Sequence, residues 1–84
     1  MSANDPRAVL VEELGRIAPD VDVDTIDETA DLREEFDIDS MDFLNLVTAL
    51  AKRLAIPIPE AEYPRLGSFA KAVAYLGEKA AAAA

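Results

Sequence analysis

Ser40 is the residue whose type and position most clearly indicate chemistry. It lies in residues 36–44 (FDIDSMDFL), where an acidic stretch gives way to an amphipathic helix and where Asp39 and Asp42 flank the serine. A serine nucleophile needs a base, usually histidine, but the chain has no His, no Cys and no G-x-S-x-G motif. The sequence therefore indicates a hydroxyl presented for another enzyme to modify, although a serine at a helix start can also serve only as a cap.

The alternating acids of residues 20–24 raise a second chemical possibility, because they match the start of a calcium-binding EF-hand loop. That loop needs glycine at its sixth position and glutamate at its twelfth, where this chain has Thr25 and Asp31. We therefore expect a solvated acidic loop and no dedicated metal site. Weak, nonspecific binding of divalent cations to the acids remains open.

The composition describes a small acidic domain. Its 84 residues suit one core, and the 51% of hydrophobic residues distinguish it from a disordered acidic tail. The net charge of -9 opposes binding to nucleic acid or to a bare anionic membrane and favours a partner protein with a basic patch. Eleven of the acids lie between residues 20 and 42, where Arg33 is the single base.

We expect no targeting signal in the N-terminal residues of the sequence. Residues 1–5 lack a basic region followed by an apolar run, and no apolar run approaches the length of a membrane span. Without cysteine, the chain has neither disulfides nor thiolate metal sites. We expect a cytoplasmic monomer.

Caps and apolar periodicity predict an all-α fold, a small four-helix bundle of three main helices plus one short helix with a long first loop. The predicted single domain spans residues 1–84, with a core at about 5–77. Residues 78–84 either extend the last helix or form a frayed helix or tail. The first main helix begins after the cap Asp5, with Pro6 at its first position, and ends near Pro19. The second runs from Ser40 to about Ala55 and is capped by Asp39, and the last is capped by Ser68. The short helix covers residues 59–63 and stops at Pro64.

The long acidic connection of residues 20–39 contains six large apolar residues that we expect to pin it to the bundle. A flexible loop is the alternative, and a short helical turn at residues 31–35 is compatible with the pattern. A strand at Val21 and Val23 would lack a partner strand. The expected pins are Val21, Val23, Ile26, Leu32, Phe36 and Ile38.

The second main helix carries two apolar stripes. Its core stripe contains Phe43, Leu46, Val47, Leu50 and Leu54, and the last main helix buries Phe69, Ala72, Val73 and Leu76. A second edge contains Met41, Leu44 and Thr48 at i, i+3 and i+7. This edge either docks a partner beside Ser40 or widens the core face.

The whole pattern resembles the acyl carrier proteins. Their usual attachment motif reads Leu-Gly-x-Asp-Ser-Leu, and residues 36–41 here read Phe-Asp-Ile-Asp-Ser-Met. The resemblance rests on the Asp-Ser pair at the start of the second main helix, after a long pinned loop in an acidic helical chain. It covers residues from about 5 to 77. Asp37 replaces the glycine of the motif, and aspartate can still adopt the left-handed or turn conformation that glycine would take there.

The resemblance implies a covalent 4'-phosphopantetheine arm on Ser40, with Asp39 as the flanking recognition residue. A phosphopantetheinyl transferase that uses magnesium would donate the arm from coenzyme A. Acyl groups would travel as thioesters on its thiol, and the carrier itself would catalyse nothing. The acyl synthases, transferases or ligases that it serves would have basic docking patches.

The resemblance also implies a docking surface and an acyl pocket. The docking residues are Asp39, Met41, Asp42, Leu44 and Asn45; the pocket candidates are Phe43, Leu46, Val47, Leu50, Leu54, Phe69 and Val73. Beyond Leu44 the chain departs from fatty-acid carriers, because positions that often hold acids there are Asn45, Thr48, Ala51 and Lys52, and Arg53 follows. We infer a specialised carrier for a fatty-acid, lipid or polyketide pathway.

Two other interpretations remain open. A carrier of aminoacyl or peptidyl groups would share the chemistry at Ser40 and differ in cargo. An acidic interaction bundle would never be modified. The sequence leaves the cargo, the pathway and the cognate enzymes undetermined.

Overall fold

The computed structural model describes residues 5–83, which contain four α-helices and two 3-10 helices. Residues 1–4 and 84 of the predicted domain, including most of the N-terminal segment inspected for a targeting signal, lie outside the described residues. The helices are α1 (Pro6–Ile17), a first 3-10 helix (Val23–Thr25), α2 (Leu32–Glu35), α3 (Ser40–Leu54), a second 3-10 helix (Glu60–Leu66) and α4 (Phe69–Ala83). Extended pairing within this part of the chain amounts to one isolated bridge between Asp31 and Ser68. The all-α prediction is confirmed.

The predicted caps begin the three main helices. The Asp5 carboxylate accepts a hydrogen bond from the Ala8 N–H at 3.1 Å, with Pro6 at the first helical position of α1. In the same way, Asp39 accepts from the Asp42 N–H at 2.8 Å. At α4, Ser68 Oγ accepts from the Lys71 N–H at 3.1 Å. Because each cap satisfies a helix N–H group that has no partner in the helix, local sequence fixes these starts.

The loop between α1 and α3 is pinned, as predicted. Leu32, Phe36 and Ile38 are buried in the core, and the remaining three predicted pins are half-buried against it. Backbone hydrogen bonds also attach this segment to the start of α4, from the Leu32 N–H to Gly67 O at 2.8 Å and from the Ala70 N–H to Glu28 O at 2.9 Å. The helical turn at residues 31–35 is confirmed as α2, capped by Asp31.

The prediction that Pro64 ends the short helix is wrong. The second 3-10 helix runs from Glu60 to Leu66 and contains Pro64. Its bonds join residues three apart, from the Glu62 N–H to Pro59 O at 2.9 Å and from the Gly67 N–H to Pro64 O at 3.3 Å. The proline carbonyl therefore takes part in the next turn although its nitrogen has no hydrogen to donate.

Arg53 joins α3 to α1. Its guanidinium donates to Glu12 Oε1 at 2.7 Å and to Glu13 Oε2 at 2.9 Å, and Glu13 is buried. These hydrogen bonds, the one to Glu12 first, raise the pKa of Arg53 above its usual range. Lys52 beside it is exposed. The positive charge of Arg53 therefore serves the packing of α1 on α3.

The end of α3 provides a test of backbone conformation. Ala55 adopts the left-handed conformation (φ 55°), and the Ile56 N–H bonds to Ala51 O at 3.1 Å, the pattern in which glycine is usually found. We expect Ala55→Gly to raise the free energy of unfolding by about 0.5–1 kcal/mol, because glycine adopts this conformation without the steric cost of a Cβ. Ala51→Gly, inside the helix, should instead lower it by about 1 kcal/mol. Urea unfolding of both variants measures the difference, and a loss of stability in both would contradict the expectation.

Tyr75 is a core residue of α4 that the periodicity did not single out. It is 1% exposed, and its hydroxyl donates a hydrogen bond to the Glu62 carboxylate on the second 3-10 helix. The Arg65 guanidinium and the Lys79 ammonium lie over its ring, at 4.9 and 5.6 Å from the centroid. Burial first, and the Glu62 hydrogen bond second, raise the pKa of Tyr75 to about 12. This cluster attaches the second 3-10 helix to α4.

We expect the Tyr75 hydroxyl to make stability fall as the pH rises from 10 to 12. The unfolded state loses the tyrosine proton near pH 10, whereas the folded state keeps it to about 12, so unfolding releases a proton in this window. The loss should be about 1–2 kcal/mol after allowance for solvent at the partly exposed Glu62. Denaturant titrations of Tyr75→Phe should lack this component and those of Tyr63→Phe should keep it. Parallel pH profiles for wild type and Tyr75→Phe would contradict the expectation.

Candidate functional site

Ser40 is the first residue of α3 and is exposed. Its Oγ accepts a hydrogen bond from Arg33 Nη2 at 2.9 Å. Capping of α3 is carried by Asp39, whose carboxylate accepts from the Asp42 N–H. The serine hydroxyl is therefore not needed as a cap and remains accessible.

The backbone around α2 brings Arg33 to Ser40. The Asp31 carboxylate accepts from the backbone N–H groups of Arg33 and Glu34 at 2.9 and 3.3 Å, which fixes the start of α2. After α2, Asp37 adopts the left-handed conformation (φ 51°) that we expected it to tolerate in place of glycine. The Ile38 N–H then bonds to Arg33 O at 3.0 Å. This turn reverses the chain so that Arg33 and Ser40 meet.

An open cavity of about 470 Å³ adjoins Ser40, between the α2 region, α3 and the second 3-10 helix. Phe43 and Tyr63 form an edge-to-face aromatic pair there, with ring centroids 5.9 Å apart. The volume of this cavity falls in the range of small-molecule sites. The lining is Asp31, Arg33, Ser40, Phe43, Leu44, Glu60, Tyr63, Pro64, Leu66 and Gly67.

The second apolar edge of α3 faces solvent. Met41 is 67% and Leu44 is 44% exposed, which the broad-core alternative does not account for. Asp39 and Asn45 are also exposed, and Asp42 is half-buried. These five residues are called the α3 surface below. Its role in partner binding stays a prediction.

Only one of the predicted pocket residues lines the cavity beside Ser40. Phe43 lines the cavity beside Ser40, whereas Val73 is half-buried against the core. The other five are buried inside the closed core: Leu46, Val47, Leu50, Leu54 and Phe69. Whether any of them contacts an acyl chain stays a prediction.

Sequence reasoning missed Arg33, Tyr63 and Leu66 as residues of the site. Arg33 had a signal, since it is the single base among eleven acids, but nothing local showed that it contacts Ser40. Leu66 lies beyond the predicted end of the short helix, and nothing local showed that Tyr63, inside the predicted helix, packs beside Ser40. Among the described residues, no group of three or more acidic, His or Cys side chains is arranged to hold a metal ion.

Comparison with known proteins shows the family of this small helical domain. The model of the family described as "Phosphopantetheine attachment site" matches residues 7–76. The chain therefore belongs to this family, that of the acyl carrier proteins. It is similar to the acyl carrier protein of Zymomonas mobilis subsp. mobilis, with 29% identity over 72 residues that cover 86% of each chain.

This family membership establishes the cofactor and the general role. The domain is the site of covalently attached 4'-phosphopantetheine in acyl carrier proteins. Those proteins are non-catalytic carriers that work with phosphopantetheinyl transferases and acyl-processing enzymes. None of the helices within residues 5–83 has both the length and the apolar character needed to cross a membrane.

Proposed function

We propose that Ser40 carries the 4'-phosphopantetheine arm and that the chain presents acyl groups as thioesters on its thiol. The observation that carries the proposal is the exposed Ser40 Oγ at the start of α3, contacted by Arg33 and bordering a cavity. The chain has no Cys, so a thioester on this carrier needs the thiol that the arm supplies.

The residues around Ser40 fit a phosphodiester. The hydroxyl is open to an incoming enzyme, and the Arg33 guanidinium, a strong phosphate ligand, already reaches Oγ. The N-terminus of α3 also favours an anion. In the transfer, Ser40 Oγ loses its proton and forms the bond to phosphorus, while a phosphoanhydride bond of coenzyme A breaks and its nucleotide leaves.

We propose the α3 surface as the docking site for the transferase and for acyl synthases, transferases or ligases. Asp39 and Asp42 supply negative charge that complements a basic patch on the partner. Met41, which lies between them in the sequence, and Leu44, which follows them, supply exposed apolar contacts. Asn45 adds a polar group. A single domain, a monomeric state and a cytoplasmic location remain predictions from the sequence.

The finer proposal is a specialised carrier for a fatty-acid, lipid or polyketide pathway. Beyond Leu44 the exposed side of α3 presents Asn45, Thr48 and Lys52 and no acid. Arg53 is engaged by α1, so Lys52 is the cation of this pair that faces solvent. Elongation by common fatty-acid enzymes at ordinary rates would contradict the specialised role.

Intact-mass measurement tests the attachment. The chain is incubated with coenzyme A, magnesium and a promiscuous phosphopantetheinyl transferase, and we expect a mass increase of one phosphopantetheine group. No adduct on the wild-type chain would overturn the proposal and leave the unmodified interaction bundle. Subsequent charging with acyl and aminoacyl donors separates an acyl carrier from a carrier of aminoacyl or peptidyl groups.

A further inference from the structure

Arg33 differs from the other arginines of the described residues in its pairing. Each of the others has a carboxylate oxygen within 4.0 Å: Arg7 with Glu28, Arg16 with Glu13, Arg53 with Glu12 and Glu13, and Arg65 with Glu78. The Arg33 guanidinium has none within that distance among residues 5–82, although Asp31, Glu34 and Glu35 are its close neighbours in sequence. It is directed instead at the neutral oxygen of Ser40.

We infer that Arg33 is a positioning residue that binds the phosphodiester formed on Ser40, an inference that rests on the proposed attachment. The phosphorus atom would be bonded to the same Oγ that Arg33 Nη2 contacts at 2.9 Å. The free phosphate oxygens would therefore lie next to the guanidinium. Arginine binds phosphate through two parallel N–H groups, and such charge-assisted bonds are about twice as strong as neutral ones.

The charge around Ser40 explains why such a residue is needed. A phosphodiester adds a negative charge beside Asp39 and Asp42, downstream of an acidic stretch whose single base is Arg33. Like charges at this spacing destabilise the folded chain unless a cation offsets them. Arg33 is held in place for this by the Asp31 cap and by the turn at Asp37.

Arg33 also fixes the direction in which the arm leaves the protein. Arg33 and Ser40 both line the cavity that contains Phe43 and Tyr63. A phosphate held between them starts the arm at the rim of this cavity. Loss of Arg33 would let the arm rotate freely near its phosphate. It would leave the core unchanged, because the Arg33 side chain is exposed.

The test compares apo and loaded carriers of wild type, Arg33→Gln, Arg33→Lys and the control Arg16→Gln. Arg16 is a matched control because it is an exposed arginine on α1 whose loss changes the net charge equally. We expect loading to raise the melting temperature by about 4 °C more in wild type and in Arg16→Gln than in Arg33→Gln. Arg33→Lys should recover part of this gain, and high salt should reduce it.

Two spectroscopic readouts would not respond to a merely structural role. The ³¹P resonance of the phosphodiester should move in Arg33→Gln and stay in place in Arg16→Gln. In the wild-type protein the guanidinium ¹⁵N resonances of Arg33 should shift on loading, which needs no variant to be loaded. Unchanged guanidinium resonances, or equal ³¹P and melting responses in all variants, would overturn the inference about Arg33. An adduct on the wild type would in that case still uphold the attachment to the chain. No adduct on the wild type would overturn the proposed function itself.

Discussion

Ser40→Ala is expected to keep its apo mass under conditions in which the wild-type chain gains one phosphopantetheine group. The substitution removes the oxygen that would bond to phosphorus. The fold should be retained, because Asp39 caps α3 and Ser40 contributes only an exposed hydrogen bond to Arg33. Exposed substitutions of this kind usually change stability by less than about 0.5 kcal/mol. Loss of the adduct would therefore report loss of the acceptor and not loss of structure.

Ser68→Ala is the matched control for this experiment. Ser68 is buried and caps α4 through the Lys71 N–H, so its loss should lower stability by about 1 kcal/mol. It should still gain the adduct, with helical circular dichroism confirming that it is folded. An adduct that survives in Ser40→Ala would move the attachment to another residue. A folded Ser68→Ala that stays apo would also contradict the assignment.

Phe36→Ala should lower the free energy of unfolding by about 3–4 kcal/mol. Phe36 is 2% exposed and anchors the connection between α2 and α3, so truncation loses its burial and leaves a cavity. A flexible loop would lose far less. The measurement is urea unfolding of the apo protein, monitored by circular dichroism.

Leu44→Ala provides the control for Phe36→Ala. Leu44 is a large apolar residue on α3, but it is 44% exposed and lies outside the core. Its truncation should cost less than about 0.5 kcal/mol. Similar losses in the two variants, or a loss below about 1 kcal/mol for Phe36→Ala, would show that the connection is not pinned.

The sequence predicted the parts of the fold that local interactions determine. Asp5, Asp39 and Ser68 each cap a helix a few residues away, so their pattern is visible without tertiary structure. Pro64 misled the prediction because the 3-10 helix continues past it: its nitrogen donates no hydrogen bond, but its carbonyl accepts one from the Gly67 N–H. Tyr75 was missed because a hydroxyl argues against burial until its partner Glu62 is known.

The position of Ser40 at a helix start was predictable from the sequence, but its contact with Arg33 was not. A serine with acidic neighbours at a helix start is a local pattern, and the absence of a catalytic base could be read from the composition. The contact from Arg33 depends on the cap of α2 and on the left-handed turn at Asp37 acting together. The cavity likewise depends on how the second 3-10 helix packs, which periodicity does not specify.

The backbone hydrogen bonds between the α2 segment and the start of α4 have a consequence for protein synthesis. They join Leu32 to Gly67 and Glu28 to Ala70, which are distant in sequence, whereas α1 and α3 can pack from the first two thirds of the chain. Contacts of this kind form only after both segments exist, and domains emerge from the ribosome N-terminus first. A nascent chain that ends before Gly67 contains Ser40 but lacks both bonds. The surface that presents the serine is thus completed only as the last helix is translated.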